Sequence, residues 1–267
     1  MVKILLGIDR SLYQIKFEKI CELANALNFD GIELQPEHPD IFKLYPSKAI
    51  KFFEDIISNY NFKISFHTPI KDLNIASYNQ RMREISILEI QKSIEFANKI
   101  GAKYIVTHGG KNSFKTRSLF SKKYERLALN YTIIALKSFY KLSEEFGISL
   151  SVENMTYSDW RMSSKINHLK AIFEEIPGLR LTLDIDHALE RTKRYVDKFI
   201  EIFKNELISA HLGAIHKNIS HIKKLLGLLN VKFFTLEPHS FTYLITPNII
   251  EFIEKNVEDL KKVISTS

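Results

Sequence analysis

The chain of 267 residues contains a single cysteine, and it contains neither a long apolar run nor a glycine-rich nucleotide-binding motif. Cys21 cannot form an internal disulfide, which is typical of proteins in a reducing cytoplasm, and its apolar neighbours predict a place in the core. The apolar runs fall short of the roughly 20 residues that a transmembrane helix needs, and the first residues do not resemble a signal peptide. We therefore expect a cytoplasmic protein without a membrane partner.

The net charge of +7 at pH 7 raises the question of an acidic partner such as nucleic acid. Most of this charge is lysine, which is spread along predicted helix surfaces in pairs such as Lys122–Lys123 and Lys223–Lys224. Charge spread in this way is typical of a solvated surface rather than of a binding stripe. Composition alone therefore does not predict a nucleic-acid partner.

Short β-branched runs alternate with segments of helical periodicity along the whole chain. We predict eight strands, at Lys3–Ile8, Asp30–Leu34, Lys63–His67, Lys103–His108, Ile148–Glu153, Leu179–Asp184, Leu207–His211 and Val231–Glu237. The helices are predicted at residues 14–27, 47–58, 80–101, 121–146, 165–176, 193–203, 219–229 and 248–264. Ser47 is the predicted N-cap of the second helix, and Pro247 precedes the last one.

This alternation predicts a parallel sheet with right-handed crossovers. Each unit has the roughly 30 residues of a strand and its helix, and no linker or change of composition separates one unit from the next. Eight such units favour closure into a (β/α)8 TIM barrel over an open doubly wound sheet, because no nucleotide-binding motif follows the first strand. We predict one α/β domain that spans residues 1–267.

Seven of the predicted strands end on a residue that can bind a metal or move a proton. These residues are Glu33, His67, His108, Glu153, Asp184, His211 and Glu237. Parallel strands in a closed barrel present their carboxyl ends on one face, so the seven side chains are expected to converge there. One such residue alone is more often a buried polar group with an ordinary hydrogen bond. Their repetition at equivalent positions predicts an active site.

Four of these residues form a candidate metal site. Glu153, Asp184, His211 and Glu237 end the last four strands, so they come from neighbouring strands at one height. Three carboxylates and one imidazole suit Mn²⁺, Mg²⁺, Co²⁺ or Zn²⁺. We expect one divalent metal ion and no organic cofactor.

Three histidines next to this set have open roles. His187 follows Asp184 in a D-x-x-H pattern and either binds a second metal, contacts a substrate hydroxyl or caps the next helix. His67 and His108 either form a second metal position with Glu153 or contact the substrate. The sequence does not choose between these roles.

Several of the strand-end phrases resemble those of a known superfamily over essentially the whole chain. They are DGIEL, SVEN, LDIDH, AH and LEP on the second, fifth, sixth, seventh and eighth strands. The chain resembles the xylose isomerase-like TIM barrels, which include sugar isomerases, ketose 3-epimerases and endonuclease IV-type AP endonucleases. The resemblance implies a small sugar or sugar phosphate as substrate, and a homo-oligomer.

The resemblance to the ketose 3-epimerases also implies roles for single residues. Glu153, Asp184, His211 and Glu237 match the metal-binding quartet, and His187 matches a substrate-contacting histidine. Lys217 stands where these enzymes commonly have an arginine that contacts the substrate.

Two further residues are candidates for the pocket. Glu33 either hydrogen-bonds a substrate hydroxyl or forms a salt bridge at the rim. Trp160, in the loop after the fifth strand, either stacks on a sugar face or packs against the barrel rim.

The expected reaction is a metal-dependent proton transfer beside the carbonyl of a ketose. The metal would act as a Lewis acid toward the enediolate that forms when the proton leaves. Glu153 and Glu237 would serve as base on one face and acid on the other, which inverts the stereocentre. Return of the proton to the adjacent carbon would instead make an aldose–ketose isomerase, and the sequence leaves both outcomes open.

The alternative function is an endonuclease IV-like AP endonuclease or phosphoesterase. That family's pattern also contains the histidines and acids at the strand ends, including His67 and His108. It further requires Asn-Asp after the histidine of strand seven and a later Asp-x-His, whereas His211 is followed by Leu212 and Gly213. His216 and His221 are expected on the protein surface, so a third metal site is incomplete.

Overall fold

A computed structural model describes residues 2–45, 48–114, 121–238 and 249–266. Eight parallel strands form a closed barrel in chain order. They are β1 Lys3–Gly7, β2 Gly31–Leu34, β3 Lys63–His67, β4 Tyr104–His108, β5 Ser149–Glu153, β6 Arg180–Asp184, β7 Leu207–Leu212 and β8 Phe233–Leu236. Strand β8 pairs with β1 and thereby closes the barrel. The predicted (β/α)8 barrel is confirmed.

The barrel is surrounded by helices. They are α1 Phe17–Ala26, α2 Pro39–Phe42, α3 Ala49–Ile57, α4 Gln80–Lys99, α5 Ser121–Glu145, α6 Ile166–Glu175, α7 Ile185–Leu189, α8 Lys193–Ile202, α9 Ile215–Leu226 and α10 Ile249–Ser265. The short helices α2 and α7 were not predicted, and the chain makes a 3-10 turn at Arg10–Leu12. The predicted cap Ser47 and the helix-preceding Pro247 lie outside the described ranges. Among the described residues, no helix combines the length and the apolar character of a membrane span.

Helix α9 begins at Ile215 rather than at the predicted Ile219. The backbone N–H of Ile215 donates to the side chain of Asn256 on α10, at 2.8 Å. This contact satisfies one of the first-turn donors that a helix leaves unpaired. Because the partner is distant in sequence, local capping rules do not reveal this start.

The apolar core lies between the outer face of the barrel and the helices. Ile32 and Phe66 from the strands and Phe17 and Cys21 from α1 are fully buried in it, which confirms the core position predicted for Cys21. Gly31 permits strands β2 and β3 to approach each other, since a Cβ atom there would lie 1.9 Å from the carbonyl oxygen of Lys63. Close packing of this kind leaves no room for a larger residue.

Above an apolar cluster of Tyr104, Val106, Ile208 and Phe233, the inside of the barrel contains two polar layers of side chains. Side chains alternate along a strand, so residues two positions apart share the inner face. The site layer, next to the cavity, consists of His67, Glu153, Asp184, His211 and Glu237. The hydroxyl layer lies two residues earlier on the same strands and consists of Ser65, Ser151, Thr182, Ser209 and Thr235. Every residue of both layers is buried.

Candidate active site

A cavity of about 830 Å³ opens at the carboxyl ends of the strands. Six of the predicted site residues line it, namely His67, His108, Glu153, His187, Lys217 and Glu237. Asp184 and His211 are fully buried beside them. The predicted convergence of strand-end residues therefore produces one cluster of acids and imidazoles at the floor of a cavity.

His67, His108 and Glu153 form the first group of this cluster. Nε2 of His67 and Nε2 of His108 lie 3.2 Å apart, and each lies 3.2 Å from Oε2 of Glu153. Nδ1 of His67 lies 2.8 Å from the carbonyl oxygen of Thr68, and this contact directs Nε2 toward the cluster. Burial lowers the pKa of His67, but the Glu153 carboxylate outweighs it and raises this pKa to about 9. Burial lowers the pKa of His108.

Asp184, His187 and Glu153 form the second group. Oδ1 of Asp184 accepts the backbone N–H of His187 at 2.7 Å and so caps α7, while Oδ2 lies 3.2 Å from Nδ1 of that histidine. The same Nδ1 lies 3.2 Å from Oε1 of Glu153. The amide of Asn154 bonds both the N–H and the carbonyl oxygen of Asp184, which fixes the end of β6 against β5. Sequence reasoning did not assign this role to Asn154, although it directly follows Glu153.

Glu33, His211 and Glu237 form the third group. His211 connects it to the other two groups through a contact with Glu153. Its Nδ1 lies 3.2 Å from Oε1 of Glu237 and 3.5 Å from Oε2 of Glu153, while Nε2 lies 3.0 Å from Oε1 of Glu33. Burial lowers the pKa of His211, but the three carboxylates raise it well above its ordinary value. Gly7 at the end of β1 leaves space for Glu237, because a Cβ there would lie 2.8 Å from Cγ of that glutamate.

The four predicted metal ligands are thus spread over the three groups: Glu153 is in the first two, Asp184 in the second, and His211 and Glu237 in the third. Glu153 belongs to the group of Asp184 and also contacts His211, which in turn contacts Glu237. Burial raises the pKa of Glu153, but His108, His211 and His187 together outweigh burial and hold this pKa well below its usual range. Glu153 has a contact in each of the three groups, with His67 and His108, with His187, and with His211.

Glu33 lies deeper than the sequence suggested. Strand pairing sets it opposite Ser65, two residues before His67, so it sits level with the hydroxyl layer. It is 0% exposed and is not among the residues that line the cavity. The prediction that Glu33 contacts substrate or forms a salt bridge at the rim is therefore wrong. Its register with β3 depends on the stagger of the barrel, which the sequence of β2 does not show.

The structure also places Trp160 and the two histidines of α9, and the surface position predicted for His221 is wrong. Trp160 is half-buried but does not line the cavity, whereas the neighbouring Arg161 does and places its guanidinium 4.8 Å from the indole ring centre. His216 is exposed as expected, but His221 is buried, with Nε2 3.5 Å from Asp197 on α8. Packing of α9 against α8 buries it, and it lies outside the acidic cluster.

Further residues line the cavity that sequence reasoning did not select. They include Asp9, Arg10, Tyr13, Gln35, Lys71, Arg161, Asp186 and Glu190. Several directly follow the ends of β1, β2 and β6, where a TIM barrel builds its binding loops, and this position was the available signal. They surround the cluster with side chains that form hydrogen bonds and carry charges of both signs.

The donor set suits a divalent metal. Both ring nitrogens of His211 are buried and make no geometrically sound hydrogen bond with any described residue, although carboxylate oxygens lie within 3.0 to 3.5 Å. Buried carboxylates require a compensating cation, and imidazole with carboxylate ligands is typical of Zn²⁺, Mn²⁺ and Co²⁺ sites. Glu153 with Asp184 and His187, His211 with Glu33 and Glu237, and Glu153 with His67 and His108 are the groups whose atoms are close enough to hold such an ion.

Comparisons with known proteins agree with this fold. A family model described as a xylose isomerase-like TIM barrel matches residues 21–263. The uncharacterized protein MJ1614 of Methanocaldococcus jannaschii is 31% identical over 210 residues, which are 77% of this chain and 76% of the relative.

Solved structures with the same fold are less similar in sequence. A D-tagatose 3-epimerase-like protein superposes with a TM-score of 0.78 at 22% identity and covers 99% of both chains. The IolI protein with a binding zinc atom has a TM-score of 0.77 at 13% identity, again over 99% of both chains. Because the family model matches most of the chain, the chain belongs to the xylose isomerase-like TIM barrel family.

Proposed function

We propose that the protein is a divalent-metal-dependent sugar epimerase that acts on a ketose at the carbon beside the carbonyl. The observation that carries this proposal is that Glu153 and Glu237, from β5 and β8, both line the cavity and both approach Nδ1 of His211. Two carboxylates that converge in this way can serve one substrate as base and acid. The likeness to a D-tagatose 3-epimerase-like protein supports the same reaction class.

The metal site of this enzyme would consist of Glu153, Asp184, His211 and Glu237. A divalent ion bound there supplies Lewis acidity toward the carbonyl oxygen of the substrate. The zinc in the IolI structure supports a metal in this fold, and our proposal includes Zn²⁺, Mn²⁺, Co²⁺ and Mg²⁺ as candidates.

The chain's own residues move the proton. Glu153, in its carboxylate form, takes the proton from carbon 3 of the ketose. The electron pair of the broken C–H bond moves into the enediolate. Glu237, in its protonated form, then returns a proton to carbon 3 from the opposite face and inverts the stereocentre. The two glutamates exchange roles in the reverse reaction.

Other side chains hold the sugar in place. His187 and Lys217 line the cavity and would bind substrate hydroxyls, and His67 and His108 would contact the substrate from the opposite side of Glu153. Arg161 and Lys71 at the cavity wall are cationic hydrogen-bond donors. They could bind the hydroxyls of a free sugar or the phosphate of a sugar phosphate.

Solvent exchange tests the proposed chemistry directly. The metal-loaded protein is incubated in D₂O with a panel of pentuloses and ketohexoses, and deuterium at carbon 3 is measured by mass spectrometry and NMR. Glu153→Gln and Glu237→Gln should each lower exchange by at least about 100-fold, the usual contribution of a general acid or base. Glu190→Gln, at the same cavity but outside the cluster, should retain exchange. Exchange that persists in both cluster variants would refute the proposal.

A second function is favoured by one observation, the close group of His67, His108 and Glu153. This group could hold a further metal ion, as a metal-dependent phosphoesterase acting on abasic DNA would require. The described part of α9 offers no further metal site, because His216 is exposed and His221 packs against Asp197. Two or three bound zinc ions per chain together with cleavage of an abasic duplex would favour this function over epimerisation.

A further inference from the structure

Glu33 is a buried acid that the proposed reaction does not use. It is fully enclosed below the site layer and does not reach the cavity, so it cannot contact a substrate there. Burial of an ionisable carboxyl is costly unless other groups stabilise it. Its contacts therefore indicate what it does.

The two oxygens of Glu33 have different neighbours. Oε2 accepts hydrogen bonds from the hydroxyl of Ser65, at 2.7 Å, and from that of Thr235, at 3.3 Å. These hydroxyls belong to β3 and β8, so Oε2 is held from both sides of the barrel. Oε1 faces Nε2 of His211 at 3.0 Å, close enough for a strong electrostatic contact, and neither atom makes a well-oriented hydrogen bond with any described residue. The carboxylate is thus fixed with one oxygen directed at the imidazole.

The position of Oε1 bears on which nitrogen of His211 carries a proton. A neutral imidazole has one N–H donor and one nitrogen with a free lone pair, and only the latter can bind a metal. A buried carboxylate 3.0 Å from Nε2 favours the proton on Nε2. Nδ1, which faces Glu153 and Glu237, then has its lone pair directed at the metal position.

We propose that Glu33 is a positioning residue for the metal centre: it selects the Nε2–H form of His211 and holds the ring so that Nδ1 binds the metal. A carboxylate behind a metal-binding histidine is a common device for fixing both tautomer and ring orientation. The inference rests on the metal site of the proposed function and is independent of which sugar is turned over.

The competing role for Glu33 is that of a direct ligand. Glu33, His211 and Glu237 can each present an atom within 4.8 Å of the others. However, Nε2 and Nδ1 lie on different edges of the ring, and Glu33 approaches the Nε2 edge while Glu237 approaches the Nδ1 edge. An ion bound to Nδ1 is therefore separated from Glu33 by the imidazole itself. This geometry favours positioning over ligation.

Metal binding by the intact protein tests the proposal without a sugar. The metal-stripped wild type, Glu33→Gln and Glu33→Leu are titrated with Co²⁺ against a chelator, and the visible spectrum of each complex is recorded. Glu33→Leu should weaken Co²⁺ binding by about 10- to 100-fold, the usual effect of removing such a partner. Glu33→Gln should lose less, because its amide oxygen can still accept from Nε2–H. The spectra of wild type and Glu33→Gln should show the same coordination number.

Two controls separate positioning from general damage to the barrel interior. Tyr104→Phe removes a buried hydroxyl that contacts Ser151, Thr182 and Ser209 but no acid of the cluster, and it should leave Co²⁺ affinity unchanged. Ser65→Ala combined with Thr235→Val releases Oε2 of Glu33 and should weaken binding by less than Glu33→Leu does.

Imidazole NMR of the ¹⁵N-labelled wild type with Zn²⁺ provides a readout that needs no variant to fold. The proposal predicts a proton on Nε2 of His211 and zinc on Nδ1. A proton on Nδ1 with zinc on Nε2 would overturn it. Unchanged Co²⁺ affinity in a folded Glu33→Leu variant would also overturn it, and so would loss of an oxygen ligand in Glu33→Gln. Failure of every sugar to exchange would refute the proposed function but would leave these outcomes unaffected.

Discussion

The two layers inside the barrel differ sharply in chemistry although they lie only two residues apart on the same strands. The site layer presents acids and imidazoles to the cavity, whereas the hydroxyl layer presents serines and threonines that contact one another, Tyr104 or Glu33. Hydroxyls donate and accept without charge, so they can support a carboxylate without competing for a cation. In our proposal the site layer performs the chemistry, and the hydroxyl layer beneath supports it through hydrogen bonds.

The largest contrast between the layers concerns stabilisation by metal. His211→Ala in the site layer should abolish the rise in melting temperature that Zn²⁺ causes in the metal-stripped wild type. For the wild type this stabilisation is about 2.7 kcal/mol when free metal is 100 times its dissociation constant. Ser209→Ala, two residues earlier on β7, should retain the full rise. Differential scanning fluorimetry with and without Zn²⁺ measures both, and an equal metal response in the two variants would contradict the division into layers.

The second contrast concerns stability without metal. Tyr104 places its hydroxyl among those of Ser151, Thr182 and Ser209 at the centre of the hydroxyl layer. Tyr104→Phe leaves these buried hydroxyls short of a partner, which should lower the free energy of unfolding by about 2 kcal/mol. Denaturant unfolding of the metal-free protein measures this change. A variant as stable as the wild type would show that the layer contributes no rigidity.

A smaller effect is expected at β1, which contributes a glycine rather than an acid at its end. A methyl group added by Gly7→Ala would press on Cγ of Glu237. Because small displacements of a catalytic group are costly, turnover should fall by about tenfold while metal stoichiometry stays the same. Steady-state kinetics and metal analysis check this. A decrease in bound metal with normal turnover per metal would show that Gly7 affects ligation and not proton transfer.

Much of this arrangement was predictable because it depends on local patterns. The period of two places Asp184 and His211 on inner faces, and parallel strands bring their ends together, so the barrel and the cluster follow from strand positions. The pattern S-x-H, S-x-E, T-x-D, S-x-H and T-x-E on five strands also encodes the hydroxyl layer. Residues of both layers can therefore be identified without coordinates.

The errors arose where one element depends on another that is distant in sequence. The depth of Glu33 is set by pairing of β2 with β3, and the start of α9 by Asn256 on α10. The burial of His221 depends on α8. In the loop after β5, the choice between Trp160 and Arg161 as the cavity residue depends on the path of the backbone. Hydrophobic periodicity and secondary-structure propensity describe one helix or strand at a time, so they do not predict contacts between elements that are distant in sequence.

We propose that one divalent ion is bound by Glu153, Asp184, His211 and Glu237, with the two glutamates facing a bound sugar. Anomalous scattering from crystals grown with Co²⁺ locates the ion. We expect one principal peak within bonding distance of these four side chains. A principal peak between His67 and His108, with none near Asp184 and Glu237, would contradict it.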